Sequence, residues 1–101
     1  MSKTKVDHIA IHSKNIKKSV KWYVDKFRCE IQYQDDTWAL LNFENISIAL
    51  VTPEQHPPHF AIIDERVASH KDKKIHRDGI SYIYTDDPDF NTIEVIDRSS
   101  Q

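Results

Sequence analysis

The sequence predicts an α+β fold built from two successive βαβββ modules. Its first indication is a repeat: the run His8-Ile9-Ala10-Ile11 returns in the second half as His59-Phe60-Ala61-Ile62. A second indication is that each copy is followed by a charged segment with helical features. A third is that several short strand-like runs follow each of those segments. We place both modules in one domain over residues 1–101, with module one at about 6–52 and module two at about 58–97.

In module one, apolar residues recur every three or four positions over 16–27, with lysines between them. This spacing predicts an amphipathic helix, and Asn15 is a suitable N-cap for it. Trp22 lies off the apolar stripe and is expected either to be exposed or to pack on a partner subunit. A strand precedes the helix and three follow it, over 6–11, 30–34, 38–43 and 46–52.

Module two repeats this order in shortened form. A short helix is predicted over 64–74, although its apolar stripe is weak. Gly79 marks a turn, and an Asp-Asp-Pro-Asp run before Phe90 marks another. The strands are predicted over 59–63, 75–77, 80–85 and 92–97, of which 75–77 is a brief edge strand.

Composition narrows the class of protein. The chain has 101 residues, is 39% hydrophobic and carries a formal net charge of -2, which argues against nucleic-acid or membrane partners. One cysteine permits no intrachain disulfide, and one glycine cannot build a phosphate-binding glycine loop. Neither a signal-peptide run nor a membrane-length apolar run is apparent, so a cytoplasmic location is expected. Because a domain of this size has a small core, a homodimer is also expected.

Strand alternation predicts a cluster of possible metal ligands. His8, Ala10 and His12 share one face of the first strand, while large apolar residues on the other face are expected to lie under the helix. By the same alternation, we expect His59 and Glu94 to lie on the sheet face away from the helices. Two neutral imidazoles and a carboxylate form a three-ligand set with open positions for substrate. Affinity for the cation should fall below about pH 6.5, since each histidine must be neutral to bind.

The chain as a whole also resembles a known family, the vicinal-oxygen-chelate superfamily, which includes glyoxalase I, extradiol dioxygenases, fosfomycin-resistance enzymes and bleomycin-resistance proteins. The resemblance implies a cupped mixed sheet with the helices outside, enclosing a divalent metal on His8, His59 and Glu94. Tyr84 matches a pocket tyrosine of fosfomycin-resistance relatives. The matching segments are Val6-Asp7-His8-Ile9-Ala10-Ile11, the helix ending Trp22-Tyr23, Pro58-His59-Phe60-Ala61-Ile62 and Asp87-Pro88-Asp89-Phe90-Asn91-Thr92-Ile93-Glu94.

The sequence departs from the family pattern at several points. Phe90 stands where glycine is usual, so we expect a reshaped turn. We align Glu94 with Ile48, or with Ser47 after a shift of one residue, and neither is the glutamate that glyoxalase I has there. The downstream basic residue and cation loop of a fosfomycin-type transferase are not expected after Glu94, and extradiol dioxygenases are usually longer.

The sequence thus predicts a divalent-metal-dependent enzyme acting on a small molecule with vicinal oxygens, as a lyase, isomerase or dioxygenase. The metal could be iron, manganese, zinc, nickel or cobalt. Tyr84 is the candidate catalytic residue. The candidate substrate contacts are Tyr82, Trp38 and His12. The alternative for Tyr82 and Tyr84 is cross-strand packing, and the alternative for His12 is no functional role.

The alternative function is a bleomycin-resistance-like protein that binds a small molecule without a catalytic metal. A vestigial site in a structural domain is a third possibility. The remaining histidines, His56, His70 and His76, are assigned to a loop or to solvent.

Overall fold

The computed structural model describes residues 3–76 and 79–98 of the chain. The chain divides into two compact units, and we describe each by itself. Module one comprises His8–Pro58. Module two comprises His59–Gln101 together with the N-terminal stretch Met1–Asp7.

Module one has four strands in the order β2-β3-β4-β1 and one α-helix, α1. Strand β1 pairs with β4 in parallel, while β2, β3 and β4 pair antiparallel. The bounds are β1 (Val6–His12, with His8 onward in this module), α1 (Ile16–Lys26), β2 (Glu30–Gln34), β3 (Trp38–Asn42) and β4 (Ser47–Val51). All agree with the predicted elements to within a residue or so at each end.

Helix α1 forms because its sequence supplies both a cap and an apolar stripe. The side chain of Asn15 accepts a hydrogen bond from the backbone N–H of Lys18 at 3.0 Å, as the N-cap prediction requires. The buried Ile16 and Val20 of this helix pack against Leu41 and Leu50 of the sheet. Trp22, off this stripe, is 51% exposed.

The opposite face of the module-one sheet is also apolar at its centre. Ala10, Leu40 and Ala49 form a second buried cluster, and Trp38 packs against it. Strand β3 is therefore buried on both faces, whereas every residue of the edge strand β2 is exposed.

Within its described residues, module two has four strands in the order β5-β8-β7-β6, with β5 and β8 parallel and the other pairs antiparallel. The bounds are β5 (His59–Ile63), β6 (Lys74–Ile75), β7 (Ser81–Asp86) and β8 (Thr92–Asp97). The predicted edge strand extended to Arg77, which lies outside the described residues. N-terminal residues complete this module: the backbone N–H of Ile63 donates to the carbonyl of Lys5 at 3.0 Å.

The α-helix predicted over 64–74 is wrong. A 3₁₀ helix spans Glu65–Ser69 instead, with Asp64 as its N-cap. Val67 is its one buried residue, so the segment lacks the apolar stripe that stabilises longer helices. The α+β class with mixed strand pairing is confirmed.

The turn between β7 and β8 holds a strained residue. Phe90 has φ 66, in the left-handed region, and its backbone N–H donates to the carbonyl of Asp87 at 2.9 Å. The flanking strands stay paired up to Asp86 and Thr92. The hairpin therefore forms with phenylalanine where the resemblance expects glycine.

No helix in the described ranges is both long enough and apolar enough to cross a membrane.

Candidate functional site

In module two, the strand register gathers polar residues on one face of the sheet. Glu94 of β8 lies opposite Ala61 of β5 on one side and opposite Tyr84 of β7 on the other. Residues paired across neighbouring strands point to the same face, and His59, two residues before Ala61, points there too. The predicted shared face of His59 and Glu94 is therefore present within this module.

His59 and Glu94 form a close and nearly water-free pair. The Nε2 atom of His59 lies 3.4 Å from Oε1 of Glu94, and their side chains are 3% and 4% exposed. This distance exceeds the usual 2.7–3.2 Å range for a hydrogen bond from nitrogen to oxygen. A buried carboxylate is costly unless it is paired, so the surroundings of Glu94 decide what the pair can do.

The second oxygen of Glu94 is held by a histidine that was expected to face solvent. His76 was assigned to solvent, but its Nε2 lies 2.5 Å from Oε2 of Glu94 and donates a hydrogen bond to it. The ring of His76 also stacks flat on Tyr82, with centroids 3.6 Å apart and an interplanar angle of 6°. The sequence signal was weak, because β6 has two residues and the partner carboxylate lies far along the chain.

Tyr84 lies against His59 and is the strand partner of Glu94. Its ring meets the ring of His59 edge-on, with centroids 5.4 Å apart. Burial, and then the negative charge of Glu94, raise the pKa of the Tyr84 hydroxyl well above its ordinary value of 10.0. The hydroxyl is therefore protonated throughout the physiological range. Tyr82 lies edge-on to Tyr84, with centroids 5.6 Å apart.

In module one, His8 and His12 lie on the sheet face opposite α1. They flank Ala10, which belongs to the apolar cluster on that face, and Ile11 packs on the α1 side. His8 is partly buried and pairs in register with Ser47. The Nε2 atom of His12 donates to the backbone carbonyl of His56 at 2.7 Å, so its ring anchors the connector between the modules.

Trp38 shares this face of module one. It pairs with Val51, which in turn pairs with His12. Its ring stacks on Tyr33, with centroids 4.4 Å apart and an interplanar angle of 24°. His70, by contrast, is exposed as expected.

The two modules differ at the position of Glu94. In module two, His59 pairs with Thr92 and Ala61 pairs with Glu94. In module one, His8 pairs with Ser47 and Ala10 pairs with Ala49. The equivalent of Glu94 is thus Ala49, and the alignment with Ile48 or Ser47 was wrong because it did not follow the strand register. The expectation that no glutamate stands there is unchanged.

Comparison with solved structures places this architecture among known folds. A hypothetical protein from Bacillus halodurans C-125 aligns with a TM-score of 0.76 at 19% identity, over 99% of this chain and 98% of that chain. A glyoxalase/bleomycin resistance/dioxygenase superfamily member from Vibrio splendidus 12B01 gives 0.67 at 15% identity, over 94% and 99%. Methylmalonyl-CoA epimerase from Mycobacterium tuberculosis gives 0.63 at 18% identity, over 91% and 86%.

No protein-family model matches the sequence, and no curated protein matches it. At identities below a quarter, the structural likeness establishes the fold and leaves activity to be argued from the site. The chain has the vicinal-oxygen-chelate fold.

Proposed function

We propose that the protein is a divalent-metal-dependent enzyme acting on a small molecule with two neighbouring oxygens, and that His8, His59 and Glu94 hold the metal. The observation that carries the proposal is the buried pair in module two. His59 and Glu94 present a nitrogen and an oxygen 3.4 Å apart, excluded from water. These are donor types that first-row divalent metals accept.

The spacing of this pair fits a shared cation. With bonds of about 2.0–2.2 Å, two ligands lie about 2.8–3.1 Å apart at octahedral angles and about 3.3–3.6 Å apart at tetrahedral angles. The observed 3.4 Å is in the tetrahedral range and beyond a good hydrogen bond. His8 is assigned as the third ligand because it occupies in module one the position that His59 occupies in module two.

A bound cation would act as a Lewis acid, stabilising negative charge that develops on a substrate oxygen. Tyr84 is proposed to orient the substrate or to donate a proton, because its hydroxyl-bearing ring lies against His59, with centroids 5.4 Å apart. The stacked Tyr82 and the face of Trp38 are proposed substrate contacts. His12 is proposed to line the same substrate region, with its ring fixed by the carbonyl of His56. Isomerisation, lysis and dioxygen-dependent ring opening all agree with this arrangement.

The alternative is a binding protein that uses the same surface without a catalytic metal. Two stacked ring pairs favour this alternative: Trp38 stacks on Tyr33 in module one, and Tyr82 stacks on His76 in module two. Flat rings of this kind suit an aromatic or peptide-like ligand. The buried carboxylate of Glu94 counts against this alternative, since binding by stacking does not require it.

Elemental analysis of the purified, tag-free protein tests the proposal, with His8→Ala and His59→Ala as variants and His70→Ala as the exposed-histidine control. We expect stoichiometric metal in the wild type and in His70→Ala, and its loss in the other two. Absence of metal from every sample, after incubation with Fe²⁺, Mn²⁺, Zn²⁺, Ni²⁺ and Co²⁺ in turn, would refute it. Screening α-ketoaldehydes, catechols and epoxides would then identify the reaction.

The homodimer is also a proposal, supported by the exposed edge strand β2 and the exposed Trp22. Light scattering coupled to size-exclusion chromatography measures the mass directly. A mass near 11.9 kDa, that of one chain, would rule the dimer out.

A further inference from the structure

His76 is held in place by contacts on every part of the residue. Its backbone N–H donates to the carbonyl of Ile80, and its own carbonyl accepts from the N–H of Gly79, both at 2.9 Å. Gly79 has φ 88, a conformation that glycine adopts without strain. The imidazole ring is then flanked by the flat stack on Tyr82 and by the hydrogen bond to Glu94. The ring is 32% exposed, whereas the carboxylate it contacts is buried.

Each oxygen of Glu94 has a different histidine beside it. Oε2 accepts from His76 at 2.5 Å, and Oε1 faces Nε2 of His59 at 3.4 Å. Without the first contact, the carboxylate would lose one restraint on its last torsion, which is intrinsically broad. It could also chelate a cation through both oxygens, filling a position that substrate needs.

We infer that His76 is a positioning residue, which fixes the carboxylate of Glu94 so that only Oε1 is presented as a ligand. This inference rests on the proposed function. Partners that hold a ligand from outside the coordination sphere contribute substantially to metal affinity, and their loss weakens binding by about 10–100-fold. His76 acts through Glu94, and Tyr82 acts by holding the plane of the His76 ring.

Two substitutions of His76 test separately the contribution of its hydrogen-bond donor and that of its flat ring. His76→Phe keeps a flat ring to stack on Tyr82 but loses the N–H, whereas His76→Gln loses the ring but keeps an N–H near the position of Nε2. Titration of metal-free protein with Co²⁺ at one fixed pH, followed by calorimetry and by the visible absorption of bound Co²⁺, measures the effect. We expect His76→Phe to bind Co²⁺ about 10–100-fold more weakly with an altered spectrum. His76→Gln should bind within about threefold of the wild type.

The outcomes distinguish this inference from the proposed function. If the wild type takes up no Co²⁺, the proposed metal site is refuted, and the role of His76 falls with it. If the wild type binds Co²⁺ and His76→Phe binds it equally well, only the positioning role is refuted. Equal weakening in both variants also refutes it, because it would show that the N–H does not matter.

If circular dichroism shows that His76→Phe does not fold, a second pair of variants, at Tyr82, tests the same inference. Tyr82→Phe retains the stack under His76, and Tyr82→Ala removes it. We expect Co²⁺ affinity at the wild-type level in Tyr82→Phe and a severalfold loss in Tyr82→Ala. Equal affinity in the two Tyr82 variants would overturn the inference.

Discussion

Glu94→Gln separates the charge of the site from its shape. Glutamine is isosteric with glutamate, and its side-chain oxygen can accept the hydrogen bond that His76 now donates at 2.5 Å. Replacing a charged acceptor by a neutral one costs about 1 kcal/mol. Removing a buried charge from a side chain that is 4% exposed offsets that cost, since the penalty for burying an ion is several kcal/mol. We therefore expect metal-free Glu94→Gln to be as stable as the wild type or up to about 2 kcal/mol more stable.

Metal affinity should change in the opposite direction. A neutral amide replaces an anionic ligand, so we expect Co²⁺ binding to weaken by more than about a hundredfold, which corresponds to about 2.7 kcal/mol. Glu65→Gln is the control, because it removes the same charge from an exposed position on the 3₁₀ helix. Urea unfolding and calorimetric titration measure the two quantities. A Glu94→Gln protein that keeps wild-type Co²⁺ affinity, or that loses several kcal/mol of stability without metal, would refute this reasoning.

Further predictions concern parts of the fold away from the site. The hydroxyl of Tyr33, with backbone N–H groups of the β2–β3 turn, lowers the pKa of Asp35 to about 2 from 3.8. Because folding lowers this pKa, the ionised carboxylate stabilises the protein above pH 3.8, and the stabilisation is lost as pH falls towards 2. The difference in unfolding free energy between wild type and Asp35→Asn, measured with urea, should therefore shrink from pH 5 to pH 2. A constant difference would contradict this. Phe90 has φ 66 and is 83% exposed, so its backbone conformation matters more than its packing. Phe90→Gly should be more stable than Phe90→Ala by about 1 kcal/mol in thermal unfolding. Equal stability of the two variants would exclude backbone strain there. Leu41 is fully buried under α1, so Leu41→Ala should lower the free energy of unfolding in urea by about 2–5 kcal/mol. Ile31 is half exposed, so Ile31→Ala should lower it far less. Similar losses in the two variants would show that the core does not centre on Leu41.

Module one could be predicted closely because its signals are local and redundant. Helix α1 has a cap that marks its start, and its lysine-rich exposed face and apolar stripe agree on the segment that follows. The turn between β2 and β3 is also stabilised by local contacts, since the carboxylate of Asp35 accepts from the backbone N–H groups of Thr37 and Trp38 at 2.8 Å and 2.9 Å. Alternation along β1 then assigned Ile11 to the helix side without any knowledge of its partners.

Module two was harder because its decisive contacts are distant in the chain. Residues 64–74 carry the charged side chains of an exposed helix, but Val67 is the one buried residue of the short 3₁₀ helix that forms there, with Asp64 as its cap. His76 follows a two-residue strand with no periodicity, and its contacts are with Glu94 and Tyr82 in other strands. The register that equates Glu94 with Ala49 likewise depends on strand pairing, which spacing along the sequence does not specify to one residue.

The equivalence of these two positions bears on the function. Ala49 lies in a buried apolar cluster with Ala10 and Leu40, so a module of this kind packs well without polar residues there. Module two instead buries Glu94 with His59 against it and His76 holding its second oxygen. Buried charged groups contribute little to stability compared with apolar packing of the same volume. The fold therefore does not require this polar cluster, and the proposed metal, which would use both imidazole and carboxylate as ligands, would account for its presence.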